Sequence, residues 1–231
     1  MASDVVIIGG TAGLGRALAE AYVARGARVA VGGRDAARAQ DVAADLGGDA
    51  SGFAVDLAEP YSIADSLRGL RNVDRLVITA ILRDDNSVRD FDIDGATRLA
   101  TMKLVGYTEV VHQLADRLSP DASILLFGGL AKDRPYPGST TVTSVNGAVS
   151  TLIRALAIEL APVRVNALHP GIVADTETWA GKPEVLARVL ARTPTGRHVT
   201  TSDIVDASLF LLENPSMNGA NLEVDGGWMM L

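Results

Sequence analysis

Short apolar runs alternate along this chain with longer amphipathic stretches. Val5-Val6-Ile7-Ile8 has the length and β-branched composition of a strand buried on both faces. A glycine-rich turn follows, then an amphipathic helix from Leu14 that stops at Gly26, a residue suited to a helix end. Val29-Ala30-Val31 predicts a second strand, 35–46 a helix and 52–55 a third strand. Pro60 suits the first turn of a helix over 60–71. Leu76-Val77-Ile78 predicts a fourth strand, and a helical pattern then runs from about 93 to 118, stopped by Pro120. Ile124-Leu125-Leu126-Phe127 predicts a fifth strand, 142–160 a strongly apolar helix closed by Pro162, and 163–168 a sixth strand. Helices over 183–192 and 202–213 and a strand over 221–224 complete the pattern.

Strands alternating with helices at this spacing predict βαβ units. The fold class is therefore α/β, a doubly wound parallel sheet of about seven strands with helices on both faces. No linker rich in Pro, Gly and Ser breaks the chain, so residues 1–231 read as a single domain. The Pro- and Gly-rich stretches 128–139 and 169–183 follow strands five and six, at the sheet end where ligands bind in such folds.

Composition narrows the chemistry. The 231 residues contain no cysteine, which removes disulfides, thiolate nucleophiles and thiolate metal ligands, and no metal site is expected. A net charge of −7 argues against a nucleic-acid partner. No apolar run approaches the ~20 residues of a membrane span, and no membrane partner is expected. The start, Met1-Ala2-Ser3-Asp4, has no basic segment of a signal peptide, so a cytoplasmic location is expected.

The turn Gly9-Gly10-Thr11-Ala12-Gly13-Leu14-Gly15 lies directly between strand one and helix one. Glycines there let backbone N–H groups approach a pyrophosphate, and the helix N-terminus favours its charge. Strand two ends in Gly32-Gly33-Arg34 with no acid to hold a ribose 2′-hydroxyl, and Arg34 suits a 2′-phosphate. NADP(H) is therefore favoured over NAD(H). Asp56, at the end of strand three, either accepts from an adenine amino group or caps the next helix.

In order and spacing, Gly9, Gly13-Leu14-Gly15, Arg34, Val55-Asp56-Leu57, Val165-Asn166-Ala167-Leu168-His169-Pro170-Gly171 and Val224-Asp225-Gly226-Gly227 resemble the short-chain dehydrogenase/reductase family. The resemblance covers essentially the whole chain. It implies a Rossmann-type domain, a nicotinamide cofactor and a homotetramer or homodimer. It places Gly9, Thr11, Gly13, Leu14, Gly15, Arg34, Asp56, Leu57, Ala80, Pro170, Gly171 and Ile172 on the cofactor, the last three at its nicotinamide end.

The family's chemistry rests on a Ser, a Tyr, a Lys four residues beyond it, and an Asn on the helix after strand four. Aligned on Glu159-Leu160, these positions are Gly129, Val142, Asn146 and Lys103. The nearest tyrosine, Tyr136, has Thr140 four residues on, and none of the three lysines, Lys103, Lys132 and Lys182, follows a tyrosine at that spacing. Lys103 and Asn146 look exchanged. One expectation is that Lys103 reaches the pocket from the opposite wall, to hold a ribose hydroxyl or a developing oxyanion; the other is a snorkelling surface lysine. Candidate catalytic residues are thus Lys103, Asn146 and His169, the last as a proton source beside Pro170 or else a packed loop histidine. Tyr136 and Lys132 either fold over the pocket or sit in a solvated turn, as the charges of 83–86 and 132–134 are expected to do. Trp179 either caps a substrate or makes an oligomer contact, and the apolar Trp228-Met229-Met230-Leu231 suggests an interface. The expected function is an NADP(H)-binding oxidoreductase with a non-standard active site, acting on a small molecule. The alternative is a redox-silent scaffold: an isomerase, dehydratase or cyclase, or a cofactor-sensing regulatory subunit.

Overall fold

A computed structural model describes residues 3–82 and 84–231; Met1, Ala2 and Arg83, which entered the expectations for the N-terminus and for 83–86, lie outside the described residues. Seven strands form one parallel sheet: β1 (Asp4–Ile8), β2 (Arg28–Gly33), β3 (Asp49–Ala54), β4 (Val73–Ile78), β5 (Leu118–Phe127), β6 (Arg164–Pro170) and β7 (Asn221–Val224). Their order is β3-β2-β1-β4-β5-β6-β7. The chain winds outward from β1 in one direction and from β4 in the other, so the order reverses between β1 and β4. The turn after β1 opens at that reversal, where such sheets leave a crevice.

Alternation along the strands divides the core. Val5 and Ile7 of β1 face α1 (Gly13–Val23), α2 (Ala36–Leu46) and α9 (Thr201–Glu213). Val6 and Ile8 face α3 (Ile63–Ser66), α4 (Ile93–Ala100), α5 (Tyr107–Leu114) and α6 (Thr140–Glu159). All four are at most 2% exposed, and burying each contributes about 1.5–3 kcal/mol. Two exposed helices, α7 (Glu177–Ala180) and α8 (Pro183–Leu190), lie between β6 and α9.

Three departures from the sequence pattern have physical causes. Only the 3₁₀ turn Pro60–Ser62 and the single turn α3 form within 60–71, and Arg117 donates to the Leu67 and Leu70 carbonyls where the helix was expected to continue. The 93–118 pattern becomes α4, a π-helical turn over Thr101–Gly106, and α5. Strand β5 starts at Leu118 and includes Pro120; its register against β4 shifts between the Val73–Leu118 and Arg75–Ser123 pairs, which leaves proline, lacking an N–H, at an irregularity. One correction concerns α6: among the described residues it is a helix long and apolar enough to cross a membrane, yet Val145, Val149, Ile153 and Leu156 seat it in the core.

Candidate active site at the carboxyl ends of the strands

The turn after β1 is shaped for close backbone approach. Gly9 has φ 89°, and its N–H donates to Gly32 O at 2.9 Å. A Cβ on Gly15 would lie 2.2 Å from Gly9 O, so only glycine lets α1 begin this near the strand. Gly13 has φ 51° and open space where a side chain would project. No side chain caps α1 at Ala12, which leaves its first N–H groups for an anion. Thr11 lies over Gly33, whose absent Cβ would be 2.7 Å from the Thr11 methyl. Leu14 packs into the core behind the turn. Thr79, missed in the sequence because it follows a strand without a recognisable motif, donates to Gly9 O at 3.1 Å and braces the turn from β4.

Beyond β2, Arg34 is exposed and its guanidinium has no protein partner among the described residues. Asp35 caps α2 by accepting from the Arg38 N–H, so the acid nearest the strand end is engaged. Asp56 does not cap the next helix, whose N-cap position is Glu59: Oδ1 accepts the Ala58 N–H at 2.9 Å within the turn before it, and Oδ2 pairs with Arg98 at 3.1 Å. Leu57 is buried, and Gly106 lies so close that a Cβ there would be 2.1 Å from Leu57 O. At the far side Pro170 ends β6, Gly171 donates to Val224 O at 2.9 Å, and Ile172 follows. These residues fit a dinucleotide: a glycine cradle, an uncapped helix end and a free cation beyond β2.

The end of β5 carries the candidate chemistry. His169 is 0% exposed; Nδ1 accepts the Gly129 N–H at 3.1 Å, and Nε2 lies 2.9 Å from Asn221 Oδ1. That network fixes the Nε2–H tautomer. Burial lowers its pKa, with the nearby Lys132 adding to the effect. A proton role beside the nicotinamide end is therefore corrected: the ring is a packed brace between β6, β7 and Gly129, and its one N–H points at Asn221. Gly128 exists because of this ring, since its Cβ would sit 2.3 Å from Nδ1.

Gly129 answers to a different neighbour. A Cβ there would lie 2.8 Å from Asn146 Nδ2. Asn146 is 5% exposed, and its amide has no protein partner among the described residues. Val142, one turn before it on α6, packs against the core.

Lys103 is buried in the π-helical turn, which rules out a snorkelling surface side chain. Its Nζ donates to Phe127 O at 2.6 Å and to Tyr107 Oη at 3.0 Å, and Tyr107 in turn donates to Ala80 O at 2.9 Å. The amine therefore ties the end of β5 to Ala80 beyond β4, and is engaged by protein groups rather than held out toward a ribose. Burial alone pushes its pKa down to about 7, and burial pushes the Tyr107 phenol up.

Residues 9–229 match the family model described as enoyl-(acyl carrier protein) reductase. A solved short chain dehydrogenase/reductase family protein superposes with a TM-score of 0.88 at 31% identity, over 99% of this chain and 98% of that one. The chain belongs to the short-chain dehydrogenase/reductase family. It is 31% identical over 233 residues to a human 3-oxoacyl-[acyl-carrier-protein] reductase, covering 97% of each chain. A small-chain dehydrogenase solved in complex with NADPH matches at a TM-score of 0.85 and 26% identity, over 100% of both chains.

On this short-chain dehydrogenase/reductase frame, several surface expectations change. Lys132 pairs with Glu223 at 2.7 Å and with Asp133, and Arg134 donates to Trp228 O at 3.0 Å, so neither cation is simply solvated. Trp228 lies between the guanidiniums of Arg134 and Arg192, at 4.4 and 5.5 Å from its ring, while Met230 and Leu231 stay exposed. Asn86 is 1% exposed, exchanges hydrogen bonds with the Asp92 backbone, and joins Ser139 in a β-bridge. Tyr136 remains exposed, and Lys182 sits 4.8 Å over the Trp179 ring.

Proposed function

We propose that this chain is an NADP(H)-dependent oxidoreductase. It acts on a small molecule beside Gly129 and Asn146, with a non-standard active site. The observation that carries the cofactor preference is Arg34: exposed, unpaired among the described residues, and next to a glycine where an acid would otherwise select NAD. The NADPH complex of a similar dehydrogenase supports it. Gly9, Gly13 and Gly15 take the pyrophosphate, Thr11 and Arg34 the 2′-phosphorylated ribose, Asp56 and Leu57 the adenine side, and Ala80, Pro170, Gly171 and Ile172 the nicotinamide side.

When bound, the reduced nicotinamide supplies a hydride. The protein would bind and orient it, and Lys103 acts as a positioning residue that, through Tyr107, ties the end of β5 at Phe127 to Ala80 beyond β4. Val105 and Ile158, exposed on neighbouring helices, suit the surface of a homodimer or homotetramer.

The test is fluorescence titration with NADPH and NADH. NADPH binds more tightly than NADH to the wild type. Arg34→Leu weakens NADPH by about 10–100-fold, the worth of a charge-assisted hydrogen bond, and leaves NADH within about twofold. Equal loss of both cofactors, or no binding at millimolar NADPH, refutes the assignment.

A further inference from the structure

We propose that Lys103 decides which oxidation state of the cofactor this protein holds: its ammonium opposes the cationic nicotinamide of NADP⁺ and leaves the neutral ring of NADPH unaffected. The proposal rests on the NADP(H) reading above.

Two observations carry it, and the first is position. Lys103 is 2% exposed in the π-helical turn Thr101–Gly106. Its Nζ donates to Phe127 O at 2.6 Å and to Tyr107 Oη at 3.0 Å, and Tyr107 donates to Ala80 O at 2.9 Å. Ala80 borders the glycine turn, since a Cβ on Gly9 would lie 2.6 Å from the Ala80 N. Phe127 leads directly into Gly128 and Gly129, and pairs with Leu168, two residues before Pro170. The amine is thus tied to backbone on both sides of the space assigned above to the nicotinamide end.

The second is the absence of a counter-charge. Both acceptors are neutral, and burial alone acts on the amine, bringing its pKa from 10.5 down to about 7. Its turn packs against α4, α5, α6 and the 3₁₀ turn Pro60–Ser62. The 3₁₀ turn has no charged residue. Helix α4 carries Asp94 and Arg98, α5 Glu109 and His112, and α6 Arg154 and Glu159. All are exposed except the half-buried Glu109, and none of them shifts the amine. The Tyr107 phenol, which touches it, is held neutral by its own burial.

A hydrogen-bonding brace needs no charge. A buried ammonium without a counter-charge also acts at longer range than a hydrogen bond, because little solvent screens it. Oxidation of the nicotinamide changes the ring charge from zero to plus one and leaves the phosphates as they were. A positive ring arriving in the crevice disfavours the protonated amine. By linkage the effect is reciprocal: NADP⁺ lowers the proton affinity of Lys103, and the proton on Lys103 lowers the affinity for NADP⁺ by the same factor. The proton displaced goes to solvent. NADPH has no such coupling. Below about pH 7 the protein therefore retains the reduced cofactor and discharges the oxidised one more readily than it does in base.

The experiment measures Kd for NADPH and for NADP⁺ by calorimetry at pH 6 and pH 9. In parallel, NMR follows the side chains of lysine labelled with ¹³C at the ε-carbon; with three lysines in the chain, the spectrum holds three resonances. The 2′-phosphate titrates in both cofactors and cancels in the ratio of the two constants. With a coupling of about one pKa unit, NADP⁺ loses about fivefold relative to NADPH between pH 9 and pH 6. Lys103→Met holds the ratio within about twofold over that range. In the spectrum, one resonance titrates near pH 7 without cofactor; NADP⁺ lowers its midpoint by about one unit and NADPH leaves it in place. Should Lys103→Met fail to fold, Lys132→Gln combined with Lys182→Gln leaves Lys103 as the sole lysine, and the same titration is read on it. A wild-type ratio that does not change with pH, a pH dependence that persists in Lys103→Met, or lysine resonances that all titrate above pH 9 overturns the role of Lys103 and leaves the NADP(H) reading standing. Failure of the wild type to bind NADPH overturns both together.

Discussion

Lys103→Met isolates the energetic cost of a buried amine. Among the described residues the Lys103 amine has no carboxylate partner, only Phe127 O and Tyr107 Oη, and burial brings its pKa from 10.5 down to about 7. The unfolded chain therefore holds a proton on this side chain between about pH 7 and 10.5 that the folded chain does not. Stability must rise with pH across that window, by about 1.4 kcal/mol per pH unit. Below pH 7 both states are protonated and the full penalty, about 5 kcal/mol, is present. Methionine has a similar shape and no charge, so it removes the penalty. It also leaves Phe127 O without its 2.6 Å donor, which costs about 1–3 kcal/mol at every pH. The variant should therefore compare best with the wild type in acid and worst in base. Urea unfolding at pH 6 and pH 9 reads this directly: the wild type gains about 3 kcal/mol on the variant over that interval. The other titrating groups are common to both chains and cancel in the difference. A stability difference that does not change between pH 6 and pH 9 refutes the argument, because it would mean the amine keeps its proton in the fold.

The two glycines after β5 should respond unequally to alanine. Gly128→Ala drives a methyl into the His169 ring, which Gly129 and Asn221 hold in place, and should cost about 1–3 kcal/mol by calorimetry. Gly129→Ala meets only the free end of Asn146 and should cost about 1 kcal/mol or less, so the reverse order would contradict the packing described. His169 has a lowered pKa in the fold, so acid protonates the unfolded chain first and stability falls as pH drops below about 6.5. His169→Gln should flatten the melting-temperature change between pH 7 and pH 5, and an unaltered slope would exclude His169 as its source. Gly15→Ala places a methyl 2.2 Å from Gly9 O and should abolish NADPH binding in a fluorescence titration while the far-ultraviolet circular dichroism stays that of a folded α/β protein.

The strands and most helices could be read directly from the chain. Val5 to Ile8, Leu76 to Ile78 and Ile124 to Phe127 are apolar on both faces, and only a strand covered on both sides tolerates that. The glycine turn was equally legible, because backbone approach to a phosphate requires glycine at fixed places between a strand and a helix. Periodicity failed at 60–71 and at Pro120, where the ending of an element depends on a distant group: the Arg117 guanidinium, or the register of β4.

The residues beside the pocket divide in the same way. The resemblance to the family, aligned on Glu159-Leu160, brought out Gly129, Val142, Asn146 and Lys103 as a set. It had no means of giving the direction of their side chains. Whether His169 offers a proton depends on Asn221, which is 52 residues away. Whether Lys103 is charged depends on how completely α4, α5 and β5 exclude water from its amine. Whether residue 129 has room for a side chain depends on the Asn146 amide one helix away. Local pattern determined the fold and the cofactor turn because they follow from chain periodicity and backbone sterics. Hydrogen-bond partners, burial and free space belong to groups that meet only when the sheet and helices pack, and the tertiary structure alone decided them.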